Sequence, residues 1–242
     1  MRRMFALVCL AAAAIATPAA AREVSTRTWT DADGVQWTET TTVEVVDEAP
    51  GAERFVADGG SGQRAGAGHR AGIASFGPFT VLDRRRAALV AETDSYSPAD
   101  FEAMLRAFPG IRMLEMPDCP GTVDDTANLR LGRMIRARGI ATDVPPGGSV
   151  RSGAVDLFLA GKTRHAAPDA EFAVHSWLDD QGKQAKDYAP TDPVNAAYLD
   201  YYRDMGLTPT EARGFYAMTN SVPYSQVLWL HRADVARYAA LD

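Results

Sequence analysis

The sequence predicts an α/β domain built on a mostly parallel sheet, and three observations carry that prediction. From residue 111 to residue 175 short apolar runs alternate with helical patterns in the order strand–helix–strand–helix–strand. That order requires crossover helices between parallel strands. The helical patterns are sharply bounded, with Asp124-Asp125 opening one and Gly139 closing it, as the helix dipole and the usual C-terminal stop favour. Finally, of two cysteines only Cys119 lies beyond the first 21 residues, so a chain trimmed there has no intrachain disulfide and must rely on a packed core.

Taken in order, the chain opens Met1-Arg2-Arg3-Met4, runs apolar from Phe5 to Ile15, and reaches Ala19-Ala20-Ala21 before Arg22. A basic start, a short apolar run and an A-x-A site together predict a secretory signal peptide over residues 1–21 and a periplasmic or secreted product. The apolar run is too short to span a bilayer, and no later segment is long enough, so stable membrane insertion is not expected. The 25 basic residues less Arg2 and Arg3 leave 23 against 31 acidic ones, a formal charge of −8. That balance argues against nucleic acid as a partner.

Residues 22–56 form a second region. Thr26, Thr28 and Thr30 alternate with other side chains, Asp33-Gly34 supplies a tight turn, and Val35, Trp37, Val43 and Val45 keep strand spacing; this predicts a β-hairpin. Residues 57–72 are dominated by Gly, Ala, Arg and Ser, the composition of a flexible linker, with His69 solvated inside it. The main domain is expected over residues 73–242.

Within it, Phe79–Leu82 and Ala87–Glu92 read as strands, and Ser97-Pro98 as the cap and first position of a helix. Ile111–Met116 is a strand. A loop at Cys119-Pro120-Gly121-Thr122 leads to a helix whose Val123, Ala127, Leu131, Met134 and Ile135 share one face. Ile140–Val144 is the next strand. It runs into Pro145-Pro146-Gly147-Gly148-Ser149-Val150-Arg151-Ser152-Gly153, with Ser149 in the turn, and then into an apolar helix to Gly161. A serine set between small residues at a helix N-terminus suits a nucleophile, because the turn holds the hydroxyl out and the helix end favours negative charge. It equally suits an ordinary helix cap. Glu171–His175 is a strand with His175 at its carboxyl end. Two helices follow, opened by Asp192-Pro193 and by the capping box Thr208-Pro209-Thr210-Glu211, and a short helix closes the chain over residues 233–238.

Three segments in this order, Cys119-Pro120-Gly121, Val150-Arg151-Ser152-Gly153-Ala154 and Ala170-Glu171-Phe172-Ala173-Val174-His175-Ser176, resemble the ClpP/crotonase superfamily, in particular exported ClpP-like bacterial proteins. The resemblance covers about residues 79–242. It implies repeated β-β-α units with a mostly parallel sheet, preceded here by the hairpin region. It also implies an exported serine hydrolase, most of all a peptidase, with Ser152 as nucleophile and His175 as base. Gly153, Gly121 and Thr122 map onto the oxyanion site, and the resemblance allows a homo-oligomer. The substrate would be a peptide or another acyl compound, and no cofactor is implied. Chemistry asks for such a pair, since a serine hydroxyl becomes a competent nucleophile when a hydrogen-bonded imidazole takes its proton.

Where the family has Ser-Pro-Gly-Gly this chain has Cys119-Pro120-Gly121-Thr122, and no carboxylate precedes Trp229-Leu230, where the family keeps its aspartate. Asn220, Ser221, Ser225, Gln226 and Asp156 are therefore the candidates for a third member. Asp156 stands one turn beyond Ser152 on an apolar helix, so it needs a buried partner, for which an arginine is the first expectation. The departures keep a second reading open, a catalytically inactive ClpP-like binding or assembly module. His165 and His231 lack metal-ligand spacing with Cys119 or the carboxylates, so no metal is expected.

Overall fold

The computed structural model describes residues 22–30, 36–44 and 72–242. The first unit holds β1 (Arg22–Thr30) and β2 (Gln36–Glu44), paired antiparallel with Trp29 opposite Trp37. The Asp33-Gly34 turn, the expected signal peptide (1–21), and the expected linker with His69 (all but Gly72) lie outside the described residues.

The second unit is α/β with mostly parallel sheets. Three short strands lead in: β3 (Ala74–Phe76), β4 (Phe79–Val81) and β5 (Arg86–Leu89), each antiparallel to the next. Helix α1 (Ser97–Ala107) follows. Three strand pairs then recur, β6 (Met113–Glu115) with β7 (Asp118–Cys119), β8 (Ala141–Val144) with β9 (Ser149–Arg151), and β10 (Arg164–Ala166) with β11 (Glu171–Val174). The first two pairs run into helices α2 (Asp125–Ala137) and α3 (Gly153–Leu159). These are the expected β-β-α units.

One feature of the units was not expected. The first strand of each pair joins one sheet and the second joins another. The six-stranded sheet has the order β10-β8-β6-β5-β4-β3, and the four-stranded sheet the order β12-β11-β9-β7, where β12 is Leu228–His231. β12 pairs antiparallel with β11, while β7, β9 and β11 run parallel. A strand of two to four residues has too few side chains to show a period of two, so the sequence reads β7 as part of a loop and β9 as turn, and marks no strand at β10 or β12. Ser149, expected in the turn, is instead the first residue of β9, 4% exposed.

Helix α4 (Pro193–Asp204) is capped by Asp192, and α5 (Pro209–Thr219) by the Thr208/Glu211 box, as the sequence indicates. The last helix, α6, is shorter than expected, Arg232–Val235. α1 starts one residue before its expected first position. Tyr96 is its N-cap, because the Ser97 hydroxyl is engaged with Asp94, donating to the carboxylate and accepting the Asp94 N–H, both at 2.9 Å. Apolar side chains from both sheets and all six helices make one core, with Tyr201, Phe101, Phe158, Phe172 and Phe215 fully enclosed. Among the described residues no helix is long and apolar enough to cross a membrane.

Candidate functional site

The two-sheet arrangement sets the site. Strands β7, β9 and β11 lie side by side and parallel, so their carboxyl ends emerge together. In α/β sheets that edge is where ligands bind. Gly121 comes two residues after β7, Ser152 directly after β9 and His175 directly after β11. Ser152 and His175 line one cavity of about 600 Å³, together with Gly153 and Asp156.

Ser152 has φ 50° and ψ −133°, and among the described residues it alone has positive φ without being a glycine. The cause lies in its neighbours. Its N–H completes the β9–β11 ladder by donating to the Ala173 carbonyl at 2.7 Å, and its carbonyl accepts from Val155 to start α3. A strand must therefore become a helix within one residue. The strain costs about 1–3 kcal/mol. Although Ser152 stands at the N-cap of α3, its hydroxyl makes no capping hydrogen bond, so the ordinary-cap reading fails at its central point. Among the described residues nothing engages the Ser152 Oγ.

Gly121 approaches from the other side. Its φ of 139° and its place against Ser152 explain the glycine, since a Cβ there stands 3.1 Å from the Ser152 Cβ. Gly153 is packed so tightly that a Cβ meets Thr122 at 2.4 Å. Gly121, Thr122 and Gly153 thus gather around Ser152. Within the described residues their N–H groups meet no hydrogen-bond acceptor, Gly153 because it opens α3 and the first turn of a helix leaves its N–H groups free, Gly121 and Thr122 in the loop before α2.

A buried polar network fixes this arrangement. Thr93 donates its N–H to the Gly121 carbonyl (3.0 Å) and its hydroxyl to Asn128 Oδ1 (3.0 Å). Asn128, 1% exposed, donates to the Gly153 carbonyl at 2.7 Å. The Thr122 hydroxyl donates to the Thr93 carbonyl at 3.1 Å. Thr93 and Asn128 were not singled out in the sequence, where they stand 28 and 25 residues from the groups they hold. No local pattern announces such contacts.

His175 Nδ1 lies 2.9 Å from the Ser176 carbonyl, and its ring meets Tyr224 edge-on at 5.0 Å. A carbonyl only accepts, so Nδ1 carries the hydrogen and Nε2 presents its lone pair. No hydrogen bond joins His175 to Ser152 among the described residues. None of the candidates for a third member bonds to His175 either. Asn220 stands one step behind, accepting from the Ser176 hydroxyl at 2.9 Å. Ser221 donates to the Met218 carbonyl, and Ser225 and Gln226 are exposed.

Asp156 has a partner other than the expected arginine: it accepts the Tyr202 hydroxyl at 3.0 Å. Burial is the chief cause that pushes its carboxyl up to about 7; Tyr202 opposes the shift and Asp125 adds to it. Asp125 accepts from Tyr198. Cys119 is fully buried, donates to the Leu89 carbonyl at 3.1 Å, and has a thiol pushed far up by that burial, so it supplies no thiolate. Among the described residues no group of three His, Cys, Asp or Glu side chains is placed to hold a metal.

No family model matches this chain, and no curated protein matches it. Solved structures do. One is a membrane-bound stomatin-specific protease variant in complex with a substrate peptide: 18% identity, over 65% of this chain and 72% of that chain, TM-score 0.44. Another is a membrane protease specific for a stomatin homolog from Pyrococcus horikoshii, at 16% identity over 64% and 69%, TM-score 0.42. A third is the ClpP protease catalytic domain from Plasmodium falciparum, at 14% identity over 66% and 83%, TM-score 0.45.

Proposed function

We propose that the chain is an exported serine hydrolase, a peptidase above all, that uses Ser152 as nucleophile and His175 as general base. The observation that supports this reading is the strained backbone of Ser152, whose unengaged hydroxyl lies beside Gly121 and shares a cavity with the His175 imidazole. Strain of this kind survives where the surrounding structure holds it for a purpose. In the proposed reaction Ser152 Oγ adds to a substrate carbonyl while its proton passes to His175 Nε2. The new oxyanion meets the N–H groups of Gly153, Thr122 and Gly121. The tetrahedral intermediate then collapses, the leaving amine departs with the imidazolium proton, and water hydrolyses the acyl-enzyme by the same proton route. The Ser176 carbonyl holds the tautomer but gives the imidazolium less stabilisation than a carboxylate, so turnover is slow. A fluorophosphonate probe tests the reading: labelling is expected in the wild type and lost in Ser152→Ala. Labelling that survives in Ser152→Ala overturns it.

A second reading, a ClpP-like binding or assembly module without catalysis, rests on the fact that among the described residues neither Ser152 nor a carboxylate hydrogen-bonds to His175. Absence of labelling in the folded wild type selects it. Export is proposed on the first 21 residues alone. The product recovered outside the cytoplasm is expected to begin at Arg22 by intact mass, and retention of Met1 refutes the cleavage.

A further inference from the structure

We infer that the cavity beside Ser152 selects substrates carrying a positively charged side chain, with Asp156 as the residue that receives the cation. The inference rests on the hydrolase reading and names its substrate class. Asp156 is one helical turn beyond Ser152 on α3, so the two side chains share a face and the same cavity. Its Oδ1 is held by Tyr202, while its Oδ2 takes no hydrogen bond among the described residues. A carboxylate oxygen accepts more than one donor, so an acceptor position is left on a residue that lines the cavity.

The rest of the cavity suits the same guest. Its walls include Trp177, Tyr198 and Tyr216, and Trp177 stacks on Tyr198 with 6° between planes and 6.1 Å between centroids. Aromatic faces attract cations and cover the apolar stem of a lysine or arginine. Neither Lys nor Arg lines the cavity, so no internal cation competes for Asp156.

Calorimetric titration of the Ser152→Ala protein at pH 8 with benzylamine and with its neutral counterpart benzyl alcohol tests this. Benzylamine is expected to bind at least tenfold more tightly. Adding Asp156→Asn is expected to abolish the difference while leaving benzyl alcohol within twofold; Asp125→Asn, whose carboxylate is taken by Tyr198, is expected to keep it. Equal binding of the two probes, or no binding of either, overturns the inference. A preference that survives Asp156→Asn, or disappears with Asp125→Asn alone, also overturns the role of Asp156. Fluorophosphonate labelling reports the nucleophile separately, so labelling without amine preference refutes the substrate class and leaves the hydrolase reading standing.

Discussion

At the scale of single residues, Ser152 sets the proposed function against stability. Its positive φ costs about 1–3 kcal/mol, and glycine adopts that conformation freely while giving back up to about 1 kcal/mol in chain entropy. Ser152→Gly is therefore expected to stabilise the protein by about 1 kcal/mol, seen as a higher denaturant midpoint with an unchanged slope, while abolishing probe labelling. A lower midpoint means that side-chain contacts, not strain, govern the position. His175 shows the limit of reading residues one at a time. Its type and place at a strand end are visible in the sequence. The group that orients it is the Ser176 carbonyl, a backbone atom that every residue possesses, so no side chain in residues 219–226 announced it.

At the scale of elements, the turn between β9 and α3 owes its shape to α2, which supplies Asn128. Asn128→Ala removes the side-chain donor to the buried Gly153 carbonyl and leaves the Thr93 hydroxyl only its longer contact, 3.4 Å, to the Gly121 carbonyl. Chemical denaturation is expected to show a loss of about 1–3 kcal/mol, with slower labelling at Ser152; unchanged labelling in a folded variant disconnects the network from the site. The long helices were legible because caps and faces recur over eleven or more residues, as Asp124, Asp192 and the Thr208/Glu211 box show. Strands β9, β10 and β12 were not, because β9 follows a Pro/Gly turn, β10 carries Arg164 and His165 rather than an apolar run, and β12 pairs with β11 more than fifty residues earlier. The Asp156 partner was misjudged for a related reason: Tyr202 lies 46 residues away, and a hydroxyl satisfies a carboxyl held near neutrality without an arginine.

For the whole molecule, that carboxyl links stability to pH. Its folded value of about 7 lies above its ordinary 3.8, so between these values the native state binds a proton that the unfolded chain has released. Stability from this group is complete below about pH 4 and is lost as pH rises through 7, a change on the order of 2–4 kcal/mol. Denaturant melts of wild type and Asp156→Asn across pH 4–8 are expected to diverge in that sense; parallel curves refute the linkage. The two-sheet plan has a consequence in time. The sheet that carries Gly121, Ser152 and His175 runs from β7 at residue 118 to β12, which ends at residue 231 of 242. Such distant pairings close late in folding. The last strand of that sheet begins more than fifty residues after His175, so a nascent chain that already carries Gly121, Ser152 and His175 still lacks the strand that pairs with β11.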